Sequence, residues 1–163
     1  MNAHETLIRE FYAAFAKRDA VGMARCYHAD IFFSDPAFTS LRGKEVTAMW
    51  SMLCARGKDL EIILGDVHAD EEGGSAHWEA TYTFSQTGRK VHNKIDARFA
   101  FRDGKIVRHL DTFSFWAWAK QALGPAGLLL GWFGPFKNVV RKKADAGLRD
   151  YMAKQEGAYP LPL

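Results

Sequence analysis

Cysteine is scarce: Cys26 and Cys54 are the only two in 163 residues, and neither belongs to a Cys-x-x-Cys motif. That excludes a disulfide framework, and both read as small buried apolar residues. No run approaches the roughly 20 apolar residues of a membrane span. Metal-ligand spacing is missing too, because the six histidines include no His-x-His and no i, i+4 pair. There is no phosphate-cradling glycine loop and no Gly-x-Ser-x-Gly elbow. Neither a metal nor a cofactor is expected. The N-terminus, Met-Asn-Ala-His-Glu-Thr, lacks the basic and apolar regions of a signal peptide, so a cytoplasmic location is the default expectation. Charge is not spread as on a nucleic-acid binder. Residues 117–163 hold seven Lys and Arg against three Asp and Glu, which leaves the first 116 residues near neutrality.

What is present is apolar bulk. Hydrophobic residues make up 48% and aromatics 13%, enough for one domain with a sizeable core. Leu7, Ile8, Phe11, Ala14 and Phe15 recur at helical spacing over 3–17. Asp19 can cap a second, shorter helix over 20–28. A short strand, Ile31–Ser34, stops at Asp35-Pro36, and a helix at about 44–56 carries Val46, Met49, Trp50 and Leu53.

The period then changes from 3.6 to 2. Strands are expected at Leu60–Ala69, Ser75–Ser85, Lys90–Phe101 and Lys105–Phe115, joined by short Gly-containing turns that predict consecutive antiparallel hairpins. Helices followed by a meander is an α+β pattern. The tail predicts a helix at Phe115–Leu123, an apolar Gly-interrupted stretch to Phe136, and a basic amphipathic helix from Pro135 to about Lys154.

Strand parity picks out the polar groups that need a reason. His109 and Asp111 share a face among apolar residues of the last strand. Trp78, Ala80, Tyr82 and Phe84 share one face of their strand, while His77, Glu79, Thr81 and Thr83 share the other. Val91, Ile95, Phe99 and Phe101 share a parity on which Asn93 is the polar group. Asp96 falls on the opposite, polar parity, and a one-residue change in alignment would reverse it.

Phe11-Tyr12-Ala13-Ala14-Phe15, Phe33-Ser34-Asp35-Pro36, Gly43, Ile95-Asp96 and Arg102-Asp103-Gly104-Lys105-Ile106 together resemble the nuclear transport factor 2-like superfamily. Within it the likeness is to SnoaL-like polyketide cyclases and ketosteroid isomerase-related proteins. It covers about residues 3–116 and implies a cone-shaped, curved antiparallel sheet wrapped around N-terminal helices. Residues 117–163 are then a helical extension packed on the same domain or on a dimer partner. The resemblance implies a homodimer and a pocket for a small hydrophobic ligand, and neither a nucleic-acid partner nor a cofactor.

Asp35 resembles the isomerase base, although Asp-Pro also simply starts a turn. Asp111 resembles the acid that cyclases and epoxide hydrolases keep on the last strand, and His109 beside it can tune or relay a proton. Asp96 resembles the isomerase's second aspartic acid. The isomerase's oxyanion tyrosine aligns with Phe11, and Tyr12 is next to it. Expected catalytic residues are therefore Asp111, His109 and Asp35. Expected ligand contacts are Phe11, Tyr12, Phe15, Trp50, Trp78, Tyr82, Asn93, Asp96, Phe99 and Phe113. The implied chemistry is cofactor-free isomerisation or cyclisation of a carbonyl compound; a non-catalytic ligand-binding or interaction module is the alternative. Gly127–Phe136, followed by basic residues, can touch a membrane surface, cap the pocket mouth or pack on a partner; packing is the expectation.

Overall fold

A computed structural model describes residues 1–158. Helix α1 (Ala3–Ala16) starts where the Asn2 side chain accepts from the Glu5 amide, and α2 (Ala20–Arg25) where Asp19 accepts from Gly22. Then come β1 (Tyr27–Ser34), β2 (Leu41–Arg42) and α3 (Lys44–Arg56). The meander follows as β3 (Glu61–Ala69), β4 (Gly74–Phe84), β5 (Arg89–Arg102) and β6 (Lys105–Thr112). Helices α4 (Phe115–Leu123), α5 (Pro125–Leu130) and α6 (Gly134–Ala158) complete the order.

The six strands form one curved sheet in the order β2-β1-β6-β5-β4-β3. The meander pairs antiparallel as its turns predict; Asp103 and Gly104, both with positive φ, make the tight β5–β6 turn. The sheet is nonetheless mixed, because β1 runs parallel to β6. The helix expected over 20–28 ends at Arg25, and Tyr27 already belongs to a strand. The strand expected to reach Phe115 ends at Thr112, because Ser114 accepts from the Ala117 amide and starts α4.

A bulge sets the direction of the key side chains. Phe101 faces Ile106 but Ala100 faces Arg108, so Val107 is an extra residue in β6. Beyond it, His109 and Asp111 stand opposite Phe99 and Ala97 and point to the concave side with them. Helix α1 fills that side with Leu7, Ile8, Phe11, Tyr12 and Phe15. Each such buried side chain contributes about 1.5–3 kcal/mol.

Strand β6 stops short of the first half of β5, and α4 covers the edge left open. The Gln121 side chain accepts from the His92 amide at 2.8 Å, and the Arg89 side chain donates to the Gln121 carbonyl. Helix α6 lies against α3 through Leu148, which is fully buried, and an Arg149–Glu45 ion pair.

Candidate functional site

Between the concave face, α3, α4 and α6 lies a cavity of about 680 Å³. Its wall is mostly apolar, with Phe15, Trp50, Trp78, Ile95, Phe113 and Trp118 among its residues. Polar side chains break that surface, among them Asp35, Tyr82, Asn93 and Asp111. This is the pattern of a small-molecule pocket, where a few convergent polar groups orient an otherwise apolar occupant.

Asp111 ends a buried chain of hydrogen bonds. The Trp50 indole N–H donates to the Tyr27 hydroxyl at 2.8 Å. Tyr27 Oη lies 2.8 Å from His109 Nδ1, and His109 Nε2 lies 2.9 Å from Asp111 Oδ1. The Trp78 indole N–H reaches the same Oδ1 at 3.4 Å.

Counting donors assigns the protons. Trp50 can only donate, so the Tyr27 proton is left for His109 Nδ1, and Nε2–H then faces the carboxylate. A second proton on His109 would leave the Tyr27 O–H without an acceptor. Burial, then the Asp111 charge, holds the Tyr27 hydroxyl well above the usual phenol range, so it stays a donor. Rings of Phe11, Tyr27, Phe33, Trp50 and Phe99 surround the imidazole with centroids 4.6–6.1 Å away. His109 is thus a buried positioning group with 0% exposure, and no part of the cavity wall. The atom left for chemistry is Asp111 Oδ2, which has no hydrogen-bond partner among the described residues.

Asp35 does both things its Asp-Pro setting suggests. Its Oδ1 accepts from the Ala37 and Phe38 amides at 2.7 and 2.6 Å, which closes the turn. Its Oδ2 takes no hydrogen bond from the described residues, and the residue lines the cavity. Desolvation, partly opposed by the Phe38 amide and reinforced by the Asp111 charge, pushes its carboxyl up to about 7. From α6, the Arg141 side chain donates to the Pro36 carbonyl at 3.0 Å and ties the turn to the C-terminal helix. The Tyr82 oxygen accepts from the Trp118 indole at 2.9 Å, which leaves its own proton for an occupant.

Of the expected ligand contacts, Phe15, Trp50, Trp78, Tyr82, Asn93 and Phe113 line the cavity. Phe11, Tyr12 and Phe99 do not: α1 lies so close to the sheet that they are buried in the core behind it. Tyr12 keeps a buried hydroxyl with no hydrogen-bond partner, so neither it nor Phe11 supplies an oxyanion donor to the cavity. Asp96 is also corrected. It pairs with His77 across β4 and β5, and a 2.8 Å contact joins the two side chains on the convex face. Glu79 shares that face and contacts His92.

The sequence reading missed Tyr27, which the misplaced helix end hid. Period 2 marks Ile31 and Phe33 as buried but does not reach back to Tyr27, because Ala29 on the same parity is exposed and the pairing with β6 shifts between Tyr27 and Phe32.

The SnoaL-like domain model matches residues 8–109, more than half of the chain. The chain belongs to the SnoaL-like domain family. No curated protein sequence matches it. Solved structures extend the likeness to the nuclear transport factor 2-like fold. A protein of that fold and of unknown function, from Burkholderia pseudomallei K96243, is 21% identical with a TM-score of 0.62. The match covers 69% of this chain and 92% of that one. TerC, crystallised with polyporic acid, is 16% identical with a TM-score of 0.65 over 75% of this chain and 99% of its own. An epoxide hydrolase of the LEH-like type from M. tuberculosis is 17% identical with a TM-score of 0.63, over 78% and 93%. These identities speak for the fold. Outside the SnoaL-like match lie Asp111, two residues past its end, then α4, α5 and all of the wall that α6 adds to the cavity.

Proposed function

We propose that this SnoaL-like protein binds a small hydrophobic carbonyl compound and removes a proton from the carbon next to the carbonyl without a cofactor, giving isomerisation or cyclisation. The carrying observation is two carboxyl groups on one apolar cavity, each with one oxygen fixed by the fold and the other unpartnered. Asp111 Oδ2 removes a proton from the carbon next to the carbonyl, and His109 with Trp78 holds the carboxylate in place. The Tyr82 hydroxyl and the Asn93 amide donate to the oxygen on which negative charge develops. Asp35, with its carboxyl pushed up to about 7, is divided between its two protonation states near neutral pH. It gives a proton to the acceptor carbon in an isomerisation, or to the acceptor carbonyl oxygen once a carbon–carbon bond has closed in a cyclisation. Asp111 then releases its proton to water and Asp35 takes one up, which restores both acids. A relative crystallised with polyporic acid supports a small-molecule occupant.

The test is solvent deuterium exchange. Hydrophobic enones and aryl β-diketones are incubated with the protein in D2O, and loss of the α-proton signal is followed by NMR. Exchange above buffer that falls about 10²–10⁴-fold in Asp111→Asn is the expected result. Binding of these compounds with no accelerated exchange would leave the second reading, a ligand-binding module. The two bonds that already occupy Asp111 Oδ1 favour that second reading.

A further inference from the structure

Residues of α5 and the turn into α6 turn their apolar side chains outward. Leu128, Leu129, Leu130, Trp132 and Phe133 are all exposed, Trp132 to 70%. The sequence led to the expectation that this segment packs on its own domain or on a partner; on this chain it does not. Its backbone, however, is firmly held. The Trp116 indole donates to the Leu128 carbonyl at 3.2 Å. At Gly127, a Cβ would lie 1.8 Å from the Ala119 carbonyl oxygen, so only glycine lets α5 cross α4 this closely. The fold therefore presents this tip as a fixed protrusion.

The chain on either side of the tip carries charge of one sign. Residues 113–144 contain Lys120, Lys137, Arg141, Lys142 and Lys143, and no Asp or Glu. Lys120 lies over the Trp116 ring at 4.6 Å and Lys137 over the Phe115 ring at 5.6 Å, which places cations at the base of the apolar tip. Within the described residues no helix is long and apolar enough to cross a membrane.

We infer that the α5–α6 tip docks on an anionic lipid surface, with Leu128–Phe133 entering the interface and the cations meeting headgroups. A second copy of the chain is the weaker occupant, because a symmetric tip-to-tip contact would bring two sets of cations together. The cavity shares this region: Leu123 before the tip and Phe136, Val139 and Val140 after it line its wall. Docking thus holds the cavity wall beside the bilayer, where a hydrophobic compound concentrates. The docking does not depend on the acid–base reading and can fail or hold separately from it.

The experiment is co-sedimentation of the full chain with phosphatidylcholine vesicles, with and without about a third phosphatidylglycerol. The expected result is binding to the anionic vesicles at least tenfold above the neutral ones, reduced severalfold at 0.5 M salt. Trp132→Ser/Phe133→Ser should lose at least tenfold of it, and Lys120→Glu/Lys137→Glu a similar share. Because Trp132 and Phe133 are exposed, the first variant should keep the wild-type melting temperature, which separates lost docking from lost folding. Absence of binding to either vesicle would overturn the inference, as would binding that both variants retain. So would a wild-type dimer that Trp132→Ser/Phe133→Ser converts to a monomer while vesicle binding stays absent.

Discussion

The two faces of the β4–β6 sheet carry the same ingredients, histidines beside carboxylates, and treat them in opposite ways. On the concave face His109 and Asp111 are two residues apart on one strand, with side chains 0% and 3% exposed. On the convex face His77 and Asp96 stand opposite each other on neighbouring strands, with side chains 40% and 77% exposed. The inner pair is locked into a single proton arrangement by Tyr27 and Trp50. The outer pair has Glu79 as a second partner for His77, and water competes for every bond. Side-chain type therefore does not make the candidate site; parity and burial do. The bulge at Val107 gives β6 the parity that turns its pair inward.

Deleting one histidine from each face should break the symmetry of ingredients most plainly. His109→Ala leaves a ring-sized hole, a buried carboxylate and a Tyr27 hydroxyl without its acceptor. It should cost about 3–5 kcal/mol of unfolding free energy. His77→Ala should cost under ~1 kcal/mol. Urea unfolding at pH 7 reads both. Equal losses would mean that the inner hydrogen-bond chain contributes no more than a surface contact.

Asp35 lies on the cavity side, and its response to pH sharpens the contrast. Its carboxyl is at about 7 in the folded chain against 3.8 as its ordinary value, so folding favours the protonated form. Its contribution is fully present below about pH 3.8 and is lost as pH rises through 7. Asp35→Asn keeps an oxygen for the Ala37 and Phe38 amides and removes the charge. The variant should be more stable than wild type by up to about 4 kcal/mol at pH 8, less whatever the amide oxygen loses as an acceptor for the two amides, with most of the advantage gone near pH 4. Paired thermal melts across that range check it, and a gap that does not change with pH would refute the buried-charge account.

Much of this arrangement was legible beforehand, because its determinants are local. Alternation along β5 and β6 put His109, Asp111 and Asn93 on the inner face and left Asp96 outside by parity, against the family likeness. Parallel pairing of β1 with β6 was not legible, since nothing near Tyr27 in sequence signals a partner some 80 residues away. Without that pairing, the Tyr27–His109 contact and the role of His109 as a holder stay hidden. Nor did periodicity separate Phe11, Tyr12 and Phe99 from the lining residues. All lie on inward faces, and only the closeness of α1 to the sheet decides which rings meet the cavity. At the tip, the apolar composition suggested packing, and the exposure of Leu128–Phe133 became visible only from where α4 and α5 cross.

The smallest effect belongs to the outer pair, and its pH dependence should run in a direction set by His77. The bond to Asp96 is the main cause that raises the His77 imidazole above its ordinary 6.5, ahead of the opposing effect of burial and the weaker pull of Glu79. A raised histidine stabilises the fold fully below about pH 6.5 and loses that contribution as pH rises through its folded value. A double-mutant cycle of His77→Ala with Asp96→Asn should therefore show coupling of about 0.2–1 kcal/mol at pH 6. It should fade by pH 8 and shrink in 0.5 M salt, because both side chains are exposed to screening ions. The same cycle on His109 and Asp111 should keep most of its coupling in salt, since their side chains are only 0% and 3% exposed. If the outer coupling also survives 0.5 M salt, the convex face is covered in solution, and a partner seated on the sheet becomes the explanation to pursue.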